Sequence, residues 1–304
     1  MAWRAKQRAA ALVDSPYFKL NATAKESKHD NDVVVLLYND GYLVSGGDEG
    51  KIKIWTQDLD HVATIDAHPV NVYSLAVLGD TLYSCSNDGT LKAWNWGTWD
   101  LKKTILEKQQ NDIIKVYTDD DKLYASNDQG ELFVFEDEQL TASYYLHEDI
   151  ADLLIIGSLV FNARNVDVSV TEMMGPPRYT YMSRGAMIGR FPIRRVGQYV
   201  CFLDRSARNI FVHMTSKEDK FKRVYHIKAH DMTISAMAAL PGQEHIMVSG
   251  GFDRIIKAWD LNTSKNIGRI DVGVCINDIC GGENGQVYIS SNEGYLARLD
   301  CTFP

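Results

Sequence analysis

The sequence predicts an all-β fold: seven four-stranded blades closed into a ring, a β-propeller forming one domain over residues 1–304. Three observations carry this expectation. A β-hairpin ending in a bulky aromatic recurs, its copies are spaced by about 40 residues, and no Pro/Ser/Gly-rich linker interrupts the series.

The best-preserved copy runs Val248-Ser249-Gly250-Gly251-Phe252-Asp253-Arg254-Ile255-Ile256-Lys257-Ala258-Trp259-Asp260. Small residues end one strand, Asp253 sits in the turn, and the next strand alternates apolar and polar positions. Near-copies run from Val44 to Trp55 and from Tyr83 to Trp94. The apolar residue that opens this second strand recurs as Ile52, Leu91, Leu132, Val166, Ile210, Ile256 and Leu296, at intervals of 39, 41, 34, 44, 46 and 40. Such a period suits blades of four strands, each too thin to fold without its neighbours. The closing residue three positions on reads Trp55, Trp94, Phe135, Ser169, His213, Trp259 and Leu299. Units four and five are therefore expected to have lost it.

With 45% hydrophobic and 24% charged residues the chain can bury a large core, and nothing in it suggests disorder. No apolar run approaches the roughly 18 residues of a membrane span. Residues 1–14 lack the apolar block of a secretory signal; they are helix-prone and read as a short helix or extension on the rim, with the positive-only charge that transit peptides share. Five cysteines without a C-x-x-C pair fit a reducing compartment, the cytoplasm first and the nucleus as the alternative.

In these repeats the sequence resembles the WD-repeat family of β-propellers, specifically in units one, two and six and more loosely elsewhere. The resemblance implies a buried tetrad of His, Ser, Asp and Trp: His68, Ser84, Asp88 and Trp94 in unit two, and His230, Ser249, Asp253 and Trp259 in unit six. Unit one carries His29, Ser45 and Trp55 with Glu49 for the Asp. A carboxylate under a turn needs donors, and an imidazole steadied by a serine hydroxyl supplies one. Recurrence in several units marks a structural device and argues against a hydrolase triad. By the same resemblance, binding is expected on the top face at Asp32, Asp48, Asn71, Tyr73, Asn87, Lys115, Asp128, Arg194, Ser235, Phe252, Asn277 and Asn292. Tyr73 and Phe252 stand out there, because aromatics are common interface anchors.

Unit seven supplies three strands, so residues 15–28, centred on Tyr17–Ala22, are expected to add the outer strand and close the ring. Units four and five depart most. Both carry an Ala-Arg-Asn turn, at 163–165 and 207–209, and the Pro176-Pro177 pair is expected to break unit four into a surface loop. From Val160 to Val224 there are 12 Lys/Arg against 5 Asp/Glu, within a chain of net charge −8. The arginines Arg164, Arg178, Arg184, Arg190, Arg194, Arg195, Arg205 and Arg208 would form a basic patch for an acidic peptide, a phosphorylated partner or anionic lipid.

No metal-ligand spacing, phosphate loop or catalytic constellation emerges, so neither cofactor nor enzymatic activity is expected. Asp119-Asp120-Asp121 reads as a solvated hairpin tip, and Trp96 and Trp99 as packing on a blade or rim. The expected function is a non-enzymatic scaffold or adaptor that docks one or more proteins or peptides on the top face. Recruitment to phosphoinositide or other anionic membranes through this arginine-rich sector of blades four and five, which includes Arg194-Arg195, is an alternative. A substrate receptor of a ubiquitin ligase is another, although Trp259-Asp260-Leu261-Asn262 lacks the Arg often found in that group. The acidic net charge disfavours specific nucleic-acid binding.

Overall fold

The computed structural model describes residues 16–107, 109–146, 149–176 and 179–303. The proposed N-terminal helix at 1–14 and Arg178 lie outside them. Among the described residues the chain forms seven four-stranded antiparallel sheets. Six consist of consecutive strands; the seventh joins Phe18–Thr23 to the outside of the final three. Each sheet is one blade, and the innermost strands line a central channel: Val33–Asn39, Val72–Leu78, Ile113–Asp119, Asp152–Ile156, Arg190–Val196, Ile234–Leu240 and Ile279–Gly281.

The blades stick together because their second and third strands bury apolar side chains on both faces. Trp94 packs with Val44, Ile52 and Leu82 between blades one and two, and Trp55 with Tyr288 and Leu296 between blades seven and one. A closing residue therefore fills the gap to the preceding blade. Behind it the tetrads are complete. Trp55, Trp94 and Trp259 donate Nε1–H to Ser45, Ser84 and Ser249 at 2.8, 2.9 and 2.8 Å, and each serine hydroxyl meets a His Nε2 at 2.8 Å. The other ring nitrogen faces the acid: His230 to Asp253 at 2.8 Å, His68 to Asp88 at 3.2 Å, and His29 to Glu49. Glu49 thus does the work of the usual Asp. Gly50, at φ +81°, abuts the His68 carbonyl, so the Asp-Gly type of turn needs its glycine for both conformation and space.

These tetrads make stability depend on pH. Burial lowers the pKa of His68, against the opposing pull of Asp88. A folded histidine that resists protonation favours folding above the unfolded value, about 6.5, and loses that contribution as pH falls below it. Burial by itself would raise Asp88 and Asp253, but bonds from Thr90 and His230 respectively leave both lowered, so their contribution is lost in turn below the unfolded carboxylate range, about 4. The melting temperature is expected to fall by several degrees between pH 7 and pH 5 and further below pH 4, and less so in the first window for His68→Asn. Calorimetric scans that are flat across both windows would contradict this.

Two expectations are corrected. In unit four, Val166 is 53% exposed in the turn, while Val168 is fully buried and pairs with Ala163. The closing position accordingly falls on Thr171, paired with Val160, and not on Ser169. In unit five the closing position is not vacant: His213 is buried, stacks on Phe202 at 4.9 Å and bonds the Phe221 carbonyl at 2.7 Å. The third strand of blade four, Asp167–Met174, ends before Pro176, as expected, and Thr180–Ile188 pairs with it as the fourth strand.

Trp96 and Trp99 meet edge to face at 4.9 Å and pack beside Tyr42 on the rim. Asp119 accepts the Gly157 amide at 2.9 Å and so ties the lower turns of blades three and four together. The five cysteines are free, and burial pushes the Cys85 thiol up to about 12.

Candidate protein-interaction face

One end of the ring gathers the tetrad turns and the loops that enter each inner strand. Backbone bonds join them from blade to blade: His68 N–H to Gly50 O, Gly294 N–H to Asn31 O and Ile234 N–H to Ala207 O. This end is the top face. It is rigid because every entering loop is held by the preceding blade's turn.

Of the twelve residues expected there, the structure places most on this end but gives several a different task. Tyr73 and Phe252 are 38% and 47% exposed, and Asp48 and Asn292 are exposed as well. Asp48 accepts the side-chain amide of Asn71, and Asp32 accepts the Glu293 backbone N–H at 3.1 Å. Asn87 and Asp128 sit in their turns, each with an Oδ1 that is sealed from solvent and has no donor among the described residues. Ser235 donates to Ile276 O, and Asn277 donates to Val33 O at 3.2 Å, so these two join neighbouring blades.

Lys115 and Arg194 belong to the channel. Lys115 Nζ lies 2.8 Å from Asp152 Oδ1, and Arg194 Nη1 donates to Asp152 Oδ2 at 2.7 Å while its Nε bonds Met237 O at 3.0 Å. Asp152 also accepts the Ile193 N–H at 3.0 Å. Burial by itself would raise this carboxyl, but the ammonium of Lys115 and the guanidinium of Arg194 hold it far below its ordinary range. Asp278 repeats the arrangement between blades seven and one, accepting Leu36 N–H at 2.9 Å. Burial raises its pKa against the pull of Arg194. Lys115 and Arg194 line a cavity of about 420 Å³ together with residues such as Leu37, Leu75, Tyr117 and Leu153 from the inner strands. Sequence reading missed Asp152 and Asp278, because nothing local distinguishes them from surface aspartates.

The arginines of units four and five do not share one surface. Arg164 pairs with Asp167 through two bonds of 2.6 Å, and Arg184 pairs with Glu172. Arg190 lies over the Phe191 ring at 5.0 Å. Arg205 and Arg208 are exposed beside the top turn of blade five, whereas Arg195 is exposed near the lower turn at Val196-Gly197. Asp204, which sequence reading also missed, braces the upper turn by accepting Ser206 and Asn209 at 2.7 Å each.

Among the described residues no group of three His, Cys, Asp or Glu side chains is placed to hold a metal ion, and no helix is long and apolar enough to cross a membrane.

Comparison with known proteins agrees with this geometry. The family model "WD domain, G-beta repeat" matches residues 24–56, 59–95 and 221–260, the three units whose tetrads are complete. The chain is similar to ribosome biogenesis protein YTM1 of Eremothecium gossypii, at 20% identity over 260 residues covering 74% of this chain and 54% of that one. It is also 28% identical over 80 residues to WD repeat-containing protein AAC3 of Dictyostelium discoideum, covering 26% of this chain and 17% of that protein. The chain thus spans about half the length of the first of these relatives and less of the second. Among solved structures it resembles the WD40 β-propeller domain of Doa1, with a TM-score of 0.77 at 14% identity over 93% of this chain and 96% of that one. The computationally designed Ika8 protein superposes with a TM-score of 0.67 at 16% identity, over 92% of this chain and 99% of that one. Repeats, tetrads and ring closure together identify the chain as a seven-bladed β-propeller that carries WD repeats.

Proposed function

We propose that this propeller is a non-enzymatic interaction platform that docks a segment of a partner protein on its top face. The observation that carries the reading is the pair of half-exposed aromatics, Tyr73 and Phe252, set on a face whose loops are already fixed by blade-to-blade backbone bonds. A rigid receptor loses little conformational freedom on binding, so its contacts convert efficiently into affinity. Large aromatics surrounded by polar groups are the side chains that most often dominate such interfaces.

The likeness to YTM1 lies in the repeat itself, and it supports the platform rather than a particular pathway. The distribution of the arginines favours a protein partner over a membrane, because Arg195 and the Arg205/Arg208 pair open on opposite ends of the ring. A flat membrane could engage only one end.

Tyr73→Ala combined with Phe252→Ala is expected to remove captured partners from an affinity pull-down while leaving the melting temperature within about 1 °C, since surface substitutions cost little stability. Capture that survives both substitutions would remove the top face from consideration.

A further inference from the structure

The channel has a chemistry of its own, toward the end of the ring opposite the top face. Its cavity of about 420 Å³ is walled by six of the seven inner strands, mainly in their second halves, on the side of the lower turns. Leu37, Leu75, Val77 and Leu153 make much of the wall apolar. The charged lining residues are Lys115, Arg194 and Arg195, and no carboxylate lines the cavity with them. In a chain of net charge −8 this reverses the overall sign, and a cleft of one sign between apolar walls concentrates ions of the other.

Neighbouring acids do not cancel this charge. Asp152 serves both Lys115 and Arg194, and Asp278 accepts the Leu36 and Ile279 amides. Three cations set against these two carboxylates leave an excess of one positive charge. Asp119 accepts the Gly157 amide and lines the groove between blades three and four instead. Donors are left over as well. Arg194 commits Nε to Met237 O and Nη1 to Asp152 and Ile193 O, whereas its Nη2 forms no hydrogen bond among the described residues. Arg195 donates Nε–H to Gly197 O at 3.1 Å, and neither of its terminal nitrogens has a bonded partner among the described residues. Lys115 makes one ion pair with an ammonium that can donate three bonds. Lys115 and Arg194 keep 21% and 28% of their side-chain exposure on the innermost strands, where the open space is the channel.

We propose that the lower channel binds a small organic anion, a phosphate or carboxylate carried on an apolar body. The head group is held by Arg194 and Arg195, and the body lies against Leu37, Leu75 and Leu153. Cavities of this size, with apolar walls and a few convergent polar groups, are those that take small ligands. Guanidinium groups suit the head group, because their planar array of donors matches the oxygens of a phosphate or carboxylate. The site goes beyond the docking of a partner on the top face and is independent of it, since Tyr73 and Phe252 take no part in the cavity.

The test titrates the full chain with phenyl phosphate, inorganic phosphate and benzylamine in a calorimeter. Phenyl phosphate is expected to bind one to one with a Kd of about 1 mM or tighter, inorganic phosphate roughly tenfold more weakly for want of an apolar body, and benzylamine not at all. Arg195→Gln should weaken phenyl phosphate roughly tenfold with an unchanged melting temperature. Ala239→Leu, which narrows the cavity without altering its charge, should weaken it as well. No binding of phenyl phosphate up to about 10 mM, equal binding to Arg195→Gln, or benzylamine bound as tightly would each overturn the proposal. Phenyl phosphate bound no better than inorganic phosphate would reduce the site to an adventitious ion only and overturn it too. Vesicles of phosphatidylcholine and phosphatidylserine should not sediment the protein. Sedimentation that Arg195→Gln abolishes, without phenyl phosphate binding, would replace the channel site by a membrane-facing patch.

Discussion

A chain lacking residues 1–24 is expected to melt roughly 10 °C below the full chain and to aggregate on heating. Phe18–Thr23 is the only strand the N-terminal part contributes to blade seven among the described residues, and it pairs in register from Phe18↔Cys301 to Thr23↔Ala297. Phe18 is buried with Val248, Leu299 and Cys301 and meets Phe303 edge to face at 5.4 Å. Losing a buried phenylalanine costs about 3–5 kcal/mol. At a few degrees per kcal/mol for a domain of this size, that accounts for the expected drop. The aggregation has a separate cause: without the strand, Leu296–Cys301 presents an open edge that can pair with another molecule. Phe18→Ala should reproduce the loss of stability with much less aggregation. Full-length melting behaviour in the truncated chain would mean that the ring closes by some other contact.

Asp152→Ala is expected to lower the melting temperature by about 6–10 °C. The substitution strands Lys115 and Arg194 and removes the acceptor for Ile193 N–H, three interactions that tie blades three, four and five around one carboxylate. Removing one partner of a buried ion pair costs about 3–5 kcal/mol. The lower end applies here, because the Lys115 and Arg194 side chains keep 21% and 28% of their exposure and water can partly solvate them. Asp152→Asn keeps an acceptor for Ile193 and should lose less. Because the carboxylate is buried, raising the salt concentration in thermal scans should barely change the wild-type contribution, unlike that of a surface pair. Equal melting temperatures for wild type and Asp152→Ala would show that the channel cluster does not hold the blades.

The architecture was legible because its determinants are local. A hairpin turn, an alternating strand and a bulky closing residue lie within a dozen positions, and their repetition sets the blade count. Reading failed where two local patterns compete. In Asn165-Val166-Asp167-Val168-Ser169-Val170 either valine can open the strand, and only the pairing of Val168 with Ala163 decides between them. His213 has no tryptophan-like signature; its stacking on Phe202 exists only once the adjacent strands are aligned.

The functional residues divide in the same way. Tyr73 and Phe252, singled out from the repeat pattern, are exposed at 38% and 47%. The pattern misplaces Lys115 and Arg194. The inner strands of blades two and three share the same irregularity, between Val72 and Ser74 and between Ile113 and Lys115, so Lys115 corresponds to Ser74 and not to Tyr73, and its side chain meets Asp152. By itself, then, the sequence determined a closed ring of seven blades, its tetrads and the strand that seals it, all of which follow from short-range patterning repeated along the chain. Only the tertiary structure decided that Lys115, Asp152 and Arg194 form one cluster and that the arginines of units four and five scatter over different surfaces. Those facts depend on which blades become neighbours and how their strands are staggered, and electrostatic partners brought together across blades leave no trace in local sequence.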